Sequence, residues 1–146
     1  MDISFNFLSP ISLENRTILK QFVSRIFKKE KRKLSTLSFI FCSDSYLLHI
    51  NKTYLQHDYF TDIITFDLSE PGSGSIDGEI YISTDTVRSN ATRFGTTVKN
   101  ELHRVIFHGV LHLCGYHDKT DQEQKLMTQK EDHYLKLYRD VPRGAS

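Results

Sequence analysis

The stretch that decides the fold is Val98-Lys-Asn-Glu-Leu-His-Arg-Val-Ile-Phe-His-Gly-Val-Leu-His-Leu-Cys-Gly115. Its apolar residues recur at the spacing of one helix face, at Val98, Leu102, Val105, Ile106, Val110 and Leu113. Gly115 follows at once, and glycine commonly ends helices because it adopts positive φ without strain. The stretch therefore predicts one long amphipathic helix with a defined end.

The segments on both sides of this helix predict the rest of the fold. Alternating, β-branched and aromatic runs predict strands at residues 3–7, 35–42, 61–67 and 78–82. Helical spacing predicts helices near residues 18–27, 46–54, 83–94 and 126–138. Ser12 is the predicted N-cap of the first of these helices, and a capping box at Thr120–Glu123 precedes the last. This mixed order predicts an α+β fold in which residues 1–146 form a single domain: a four-stranded mixed sheet packed by about five helices.

Composition excludes several classes of protein. The 146 residues include 19 Lys and Arg against 18 Asp and Glu, so the net charge is +1, which excludes nucleic-acid binding through bulk charge alone. No apolar run approaches the length of roughly 18 residues that a membrane span needs, and we see no secretory signal. Two cysteines are too few for a disulfide framework. We expect a cytoplasmic protein with no membrane partner.

A cluster of histidines provides the clearest functional signal. His108 and His112 are one turn apart on one face of the long helix, the spacing that aims two imidazoles at one metal ion. A catalytic zinc usually has three protein ligands and an open water position. Because Gly115 turns the chain back, the third ligand is expected three residues later at Asp118, with His117 as the alternative. The predicted metal site thus lies at the end of the long helix.

The ligand spacing is that of the long zinc-protease signature, with one informative difference. Those enzymes carry a glutamate general base directly after the first histidine, and this chain has Gly109 there. A bound metal could still lower the pKa of its water to near 7 and supply a nucleophile. Hydrolysis remains the expected reaction class. His49, His103, His133 and Cys114 are expected to be structural or surface residues.

The stretch His108-Gly-Val-Leu-His-Leu-Cys-Gly-Tyr116 resembles the H-G-x-L-H-L-x-G-Y signature of the YbeY endoribonuclease family, the bacterial rRNA maturation factors. Thr61-Asp-Ile-Ile-Thr-Phe66 and Gly78-Glu-Ile-Tyr-Ile-Ser83 resemble two further motifs of that family in the same order. The resemblance implies a metal-dependent, single-strand-specific endoribonuclease that acts in small-subunit rRNA 3′-end maturation and ribosome quality control. It implies zinc at His108, His112 and the position of Asp118. The implied partners are single-stranded RNA, the small ribosomal subunit and ribosome-associated proteins.

Two positions depart from the family pattern. The family commonly ends its signature in Gly-Tyr-Asp-His, whereas this chain has Gly-Tyr-His117-Asp118, so an oxygen ligand replaces a nitrogen ligand and could change metal preference. The family often has an arginine facing the cleft where this chain has Leu55. Lys52, His57 or Arg104 could replace that cation.

RNA cleavage needs cations near the scissile phosphate, where negative charge builds up. Arg104 is one turn before His108 and is the expected phosphate contact, and His57, in a polar loop, is the candidate for proton transfer. Lys28–Lys33 packs five cations into six residues, either as a solvated helix end or as an rRNA contact.

Two other functions fit parts of this pattern. One is a metallopeptidase-like hydrolase, which Gly109 disfavours. The other is a non-catalytic ribosome-assembly factor with a structural metal, although structural zinc sites usually contain more cysteine.

Overall fold

The computed structural model describes residues 2–56 and 61–143, and these residues contain four strands and five helices. In chain order they are β1 (Asp2–Phe7), α1 (Arg16–Lys29), β2 (Leu34–Cys42), α2 (Asp44–Leu55), β3 (Ile63–Asp67), β4 (Ile76–Ser83), α3 (Thr84–Arg93), α4 (Val98–Leu113) and α5 (Asp121–Arg139). This order confirms the predicted succession of strands and helices.

The strands form one mixed sheet in the order β1-β2-β4-β3. β1 pairs with β2 in parallel, and β2 pairs with β4 in parallel. β3 pairs with β4 in antiparallel fashion, as expected for two strands joined by a short Gly- and Ser-rich loop. β3 is therefore an edge strand whose outer backbone groups are not used by the sheet.

Helices cover both faces of this sheet. Most of the core lies on one face and includes the inward residues Phe39, Phe41 and Ile80. α4 packs on the sheet there, and α1 and α5 pack against α4. A smaller cluster on the opposite face joins Leu47 and Ile50 of α2 to the sheet. The predicted α+β fold is confirmed. No helix within residues 2–56 and 61–143 has the length and apolar character that a membrane crossing requires.

The predicted N-cap at Ser12 is wrong. α1 starts at Arg16, and its N-cap is Asn15, which has a left-handed backbone (φ 55°) and makes no side-chain capping bond. The reason is tertiary: Ile11 and Leu13 are buried in the main core, and residues 11–15 stay non-helical to place both side chains there.

α4 lies close to the sheet at Gly109. A Cβ at this position would come within 2.9 Å of Ile80 and 3.0 Å of Ile63, so a side chain at Gly109 would collide with β4 and β3. The position therefore faces the sheet and cannot carry a general base.

The end of α4 has the predicted glycine turn. Gly115 has φ 104°. Its N–H donates to the carbonyl of His112 at 3.0 Å, and the N–H of Tyr116 donates to the carbonyl of Leu111 at 3.0 Å. This pair of hydrogen bonds is a Schellman motif. The capping box of Thr120 and Glu123 then starts α5, as predicted. The chain thus reverses direction between the end of α4 and the start of α5.

Candidate metal centre

Three side-chain atoms converge at the end of α4. Nε2 of His108 lies 3.3 Å from Oδ2 of Asp118, and Nε2 of His112 lies 3.5 Å from the same oxygen. The ligand atoms of all three residues lie within 4.8 Å of one another, so this group could hold a metal ion. The structure therefore brings together the three residues expected from the sequence, and it places Asp118 rather than His117 in the group.

The local fold explains this convergence. One helical turn separates the two imidazoles, whose ring centroids are 4.6 Å apart. The turn at Gly115 then returns the chain along the same side of α4, so that Asp118 faces both rings. The arrangement needs only a helix and its C-terminal turn, which explains why spacing could predict it.

The group fits a tetrahedral metal. With metal–ligand bonds of about 2.0–2.1 Å, two ligand atoms of a tetrahedral site lie about 3.3–3.4 Å apart. The two distances to Asp118, 3.3 and 3.5 Å, match this spacing. Two imidazoles with one carboxylate also form a donor set that zinc accepts.

Glu131 of α5 orients one of the imidazoles. Its Oε2 lies 2.6 Å from Nδ1 of His108, and because a carboxylate only accepts, Nδ1 carries the proton and Nε2 is left for a metal. Burial acts to lower the pKa of His108, but the hydrogen bond and charge of Glu131, with the charges of Asp118 and Asp62, raise it.

The pKa of His112 moves in the opposite direction. Burial lowers it, and the neighbouring His108 lowers it further. The backbone of Tyr116 and the carboxylate of Asp118 act in the other direction, but the net pKa of His112 is lowered. A neutral imidazole is the form that binds a metal, so the environment of His112 favours ligation.

Arg104 contacts carboxylates in this structure. Its Nη1 lies 2.8 Å from Oε1 of Glu131, and its Nη2 lies 2.6 Å from Oδ1 of Asp132. Arg104 therefore positions Glu131, the carboxylate that is hydrogen-bonded to His108. Thirty per cent of the side chain remains exposed, and a guanidinium has five N–H donors, so further donors are available.

Sequence analysis assigned no role in the site to three carboxylates, of which Asp62 is expected from the sequence only to cap or brace its loop. Glu131 and Glu101 are buried, and Asp62 is partly buried. Burial raises the pKa values of Asp62 and Glu101, and the charge of Glu131 raises both further. The available signal for Glu131 was its position on the otherwise apolar face of α5, four residues after Met127, since a buried charge requires a partner.

A cleft of about 480 Å³ opens beside the metal centre. His112 lies on its wall together with residues of α2, of the edge strand β3 and of the turn before α5, including Leu55, His117 and Lys119. Leu55 therefore faces the cleft as the family comparison implied, and Lys119 is a cation in this cleft that sequence analysis did not single out.

The other sequence candidates are placed as follows. His57 lies outside the described residues. His103 is buried between Phe107 and Tyr138, and burial lowers its pKa to about 4. His49 and His133 are exposed. Cys114 is a buried free thiol whose pKa burial raises to about 12, as expected of a structural residue.

Comparison with known proteins identifies the family of this chain. A family model described as "Endoribonuclease YbeY" matches residues 8–139. A relative of that name from Cytophaga hutchinsonii is 52% identical over 125 residues, which are 86% of this chain and 87% of the relative. A second, from Flavobacterium psychrophilum, is 45% identical over 136 residues, 93% of this chain and 96% of the relative. A Thermotoga maritima protein solved in solution matches with a TM-score of 0.63 and 29% identity over 100% of this chain and 97% of that one. These matches confirm the resemblance, and the chain belongs to the YbeY endoribonuclease family.

Proposed function

We propose that this protein is a metal-dependent, single-strand-specific endoribonuclease that acts in small-subunit rRNA 3′-end maturation and ribosome quality control. Family membership supports a nuclease, since the relatives carry the name endoribonuclease. The observation that carries the metal dependence is the convergence of His108, His112 and Asp118, with the Asp118 carboxylate at tetrahedral spacing from both imidazoles. The proposed site of action is the cytoplasm, with the small subunit and its associated proteins as partners.

Zinc is the proposed metal, because imidazole nitrogens favour it over magnesium or calcium, which prefer oxygen ligands. When bound, it would lower the pKa of a coordinated water and so supply the nucleophile near neutral pH. His108, His112 and Asp118 would hold the ion, and Glu131 orients His108.

Two cations, Arg104 and Lys119, are proposed to contact the phosphate of the RNA. Arg104 lies one turn before His108 and keeps donors beyond those used by the carboxylates of α5. Lys119 lines the cleft that Leu55 also lines, and it can supply the charge that the missing family arginine would have supplied. His57 is proposed for proton transfer on its sequence position alone.

The cleft supports a preference for single strands. Only 25% of the His112 side chain is exposed and His112 lies on the cleft wall, so a phosphate reaches this ligand through the cleft. Its volume of about 480 Å³ lies in the range of small-molecule sites. A flexible single strand can splay a nucleotide into such a space, whereas a base-paired duplex holds its nucleotides on a rigid helix.

The test compares His112→Ala with His133→Ala, which removes an exposed histidine of α5 outside the metal group. We expect the His112 variant to fold, because its side chain faces the cleft, and to lose both zinc binding and cleavage of single-stranded RNA. We expect the His133 variant to retain both. Cleavage by the His112 variant at the wild-type rate would refute the proposal.

The same two variants separate the competing functions. Global unfolding of the His112 variant, with the His133 variant still folded, would favour a structural metal in an assembly factor. Zinc-dependent digestion of casein without RNA cleavage would favour a peptidase, although the contact of Gly109 with the sheet leaves no room for the glutamate that the zinc proteases use there.

A further inference from the structure

The segment Lys28–Lys33 presents a dense positive charge to solvent. Its five cations are all exposed: Lys28, Lys29, Lys31, Arg32 and Lys33. None of the five forms an ion pair with a carboxylate of residues 2–56 or 61–143. Glu30, the one acidic residue of the segment, turns inward and accepts hydrogen bonds from the hydroxyls of Tyr116, at 2.6 Å, and Tyr134. The carboxylate that could neutralise these cations is therefore used in the interior.

Four of these cations surround a depression. Lys28, Lys31, Arg32 and Lys33 line a groove of about 500 Å³, here called the basic groove, with Phe27 and Leu34 among its apolar residues. The helix dipole accounts for cations in the last turn of α1, which ends at Lys29. It does not account for Lys31, Arg32 and Lys33, which lie beyond that end. Their mutual repulsion would be relieved by a bound polyanion.

The basic groove adjoins the turn that carries the metal ligands. Nε of Arg32 donates to the carbonyl of Cys114 at 3.1 Å, and Nη2 of Arg32 lies beside Gly115. Cys114 is two residues after His112 and four residues before Asp118. A strand in the basic groove therefore lies next to the end of α4 from which the metal centre is built.

We infer that the basic groove binds the phosphate backbone of the RNA substrate outside the scissile position and holds the strand against the end of α4. The inference rests on the proposed nuclease function for the identity of the polyanion. With a net charge of only +1 for the chain, such binding is local rather than a property of the whole surface.

The test replaces Lys31 and Lys33 together by glutamine and compares the result with the double variant Lys125→Gln and Lys136→Gln. The control removes the same charge from exposed positions of α5. Binding of a labelled single-stranded RNA is measured by fluorescence anisotropy across a range of salt, with a chelator present so that no cleavage occurs. Thermal melting confirms that each variant is folded.

We expect the groove variant to bind the RNA about tenfold more weakly at low salt. The slope of log K for RNA binding against log salt should be smaller by about 1.4 in magnitude, because the variant loses two cations and each phosphate contact on a single strand contributes about 0.7. The control should keep the wild-type slope. Equal slopes for wild type and groove variant, or an equal loss in the control, would overturn the inference.

Two further outcomes have defined meanings. If polyglutamate of matched charge binds the wild-type groove as tightly as the RNA does, the partner is an acidic protein surface and the inference is wrong. If the groove variant loses slope as expected while wild-type protein with zinc cleaves no RNA, the groove stands as an RNA-binding site and the proposed nuclease function fails.

Discussion

The hydrogen bond between Glu131 and His108 leads to a quantitative prediction about zinc affinity. The bond is short, 2.6 Å, and the Glu131 side chain is only 8% exposed. A hydrogen bond to a charged group contributes about 1.5–3 kcal/mol. Loss of a carboxylate that orients a metal-binding histidine typically weakens metal binding about 10- to 100-fold, or about 1.4–2.7 kcal/mol. The two figures agree, so the orienting bond alone can account for the predicted loss.

Glu131→Gln should therefore weaken zinc binding about tenfold, because the amide oxygen can still accept the bond but has lost its charge. Glu131→Ala should weaken it about 100-fold. Asp132→Asn is the matched control: Asp132 contacts Arg104 but not His108, and its side chain is 59% exposed. We expect the control to bind zinc within about twofold of wild type.

The assay is competition for zinc against a chromophoric chelator near neutral pH. Melting curves of the metal-free variants separate lost orientation from lost stability. Wild-type affinity in Glu131→Ala would refute the role assigned to Glu131. An equal loss in Asp132→Asn would show that Arg104, rather than the carboxylate on His108, controls the site.

Two predictions concern the stability of the metal-free protein. The pKa of His103 falls from 6.5 in the unfolded chain to about 4 when the side chain is buried, so the unfolded chain gains a proton first as the pH drops. The contribution of neutral His103 to the free energy of unfolding is complete above about pH 6.5 and falls by about 3 kcal/mol by pH 4. Denaturant titrations should therefore show a free energy of unfolding that depends less on pH in His103→Leu than in the wild type. Parallel profiles would contradict this account. Gly109→Ala should destabilise the fold by about 1–3 kcal/mol through its contact with Ile80, although alanine favours a helix by about 1 kcal/mol. A more stable alanine variant in the same titrations would show that α4 can move away from the sheet.

The metal group was predictable because its geometry is local. A helix places His108 and His112 one turn apart whatever surrounds it, and a glycine in the left-handed region returns the chain within three residues to Asp118. The capping box at Thr120 and Glu123 is equally local. These features depend on backbone conformation over a few residues, which periodicity and turn chemistry report directly.

Other features were decided by contacts between distant segments. Glu131 reaches His108 only because α5 docks on α4, and that docking also turns Arg104 toward two carboxylates, which no spacing along α4 could indicate. Likewise, burial of Ile11 and Leu13 delayed the start of α1 past Ser12. The sequence by itself determined the elements, the position of the metal group and the family motif. Only the tertiary structure decided which charges neutralise one another and which are left to solvent, because an electrostatic partner is set by distance in space and not by separation along the chain.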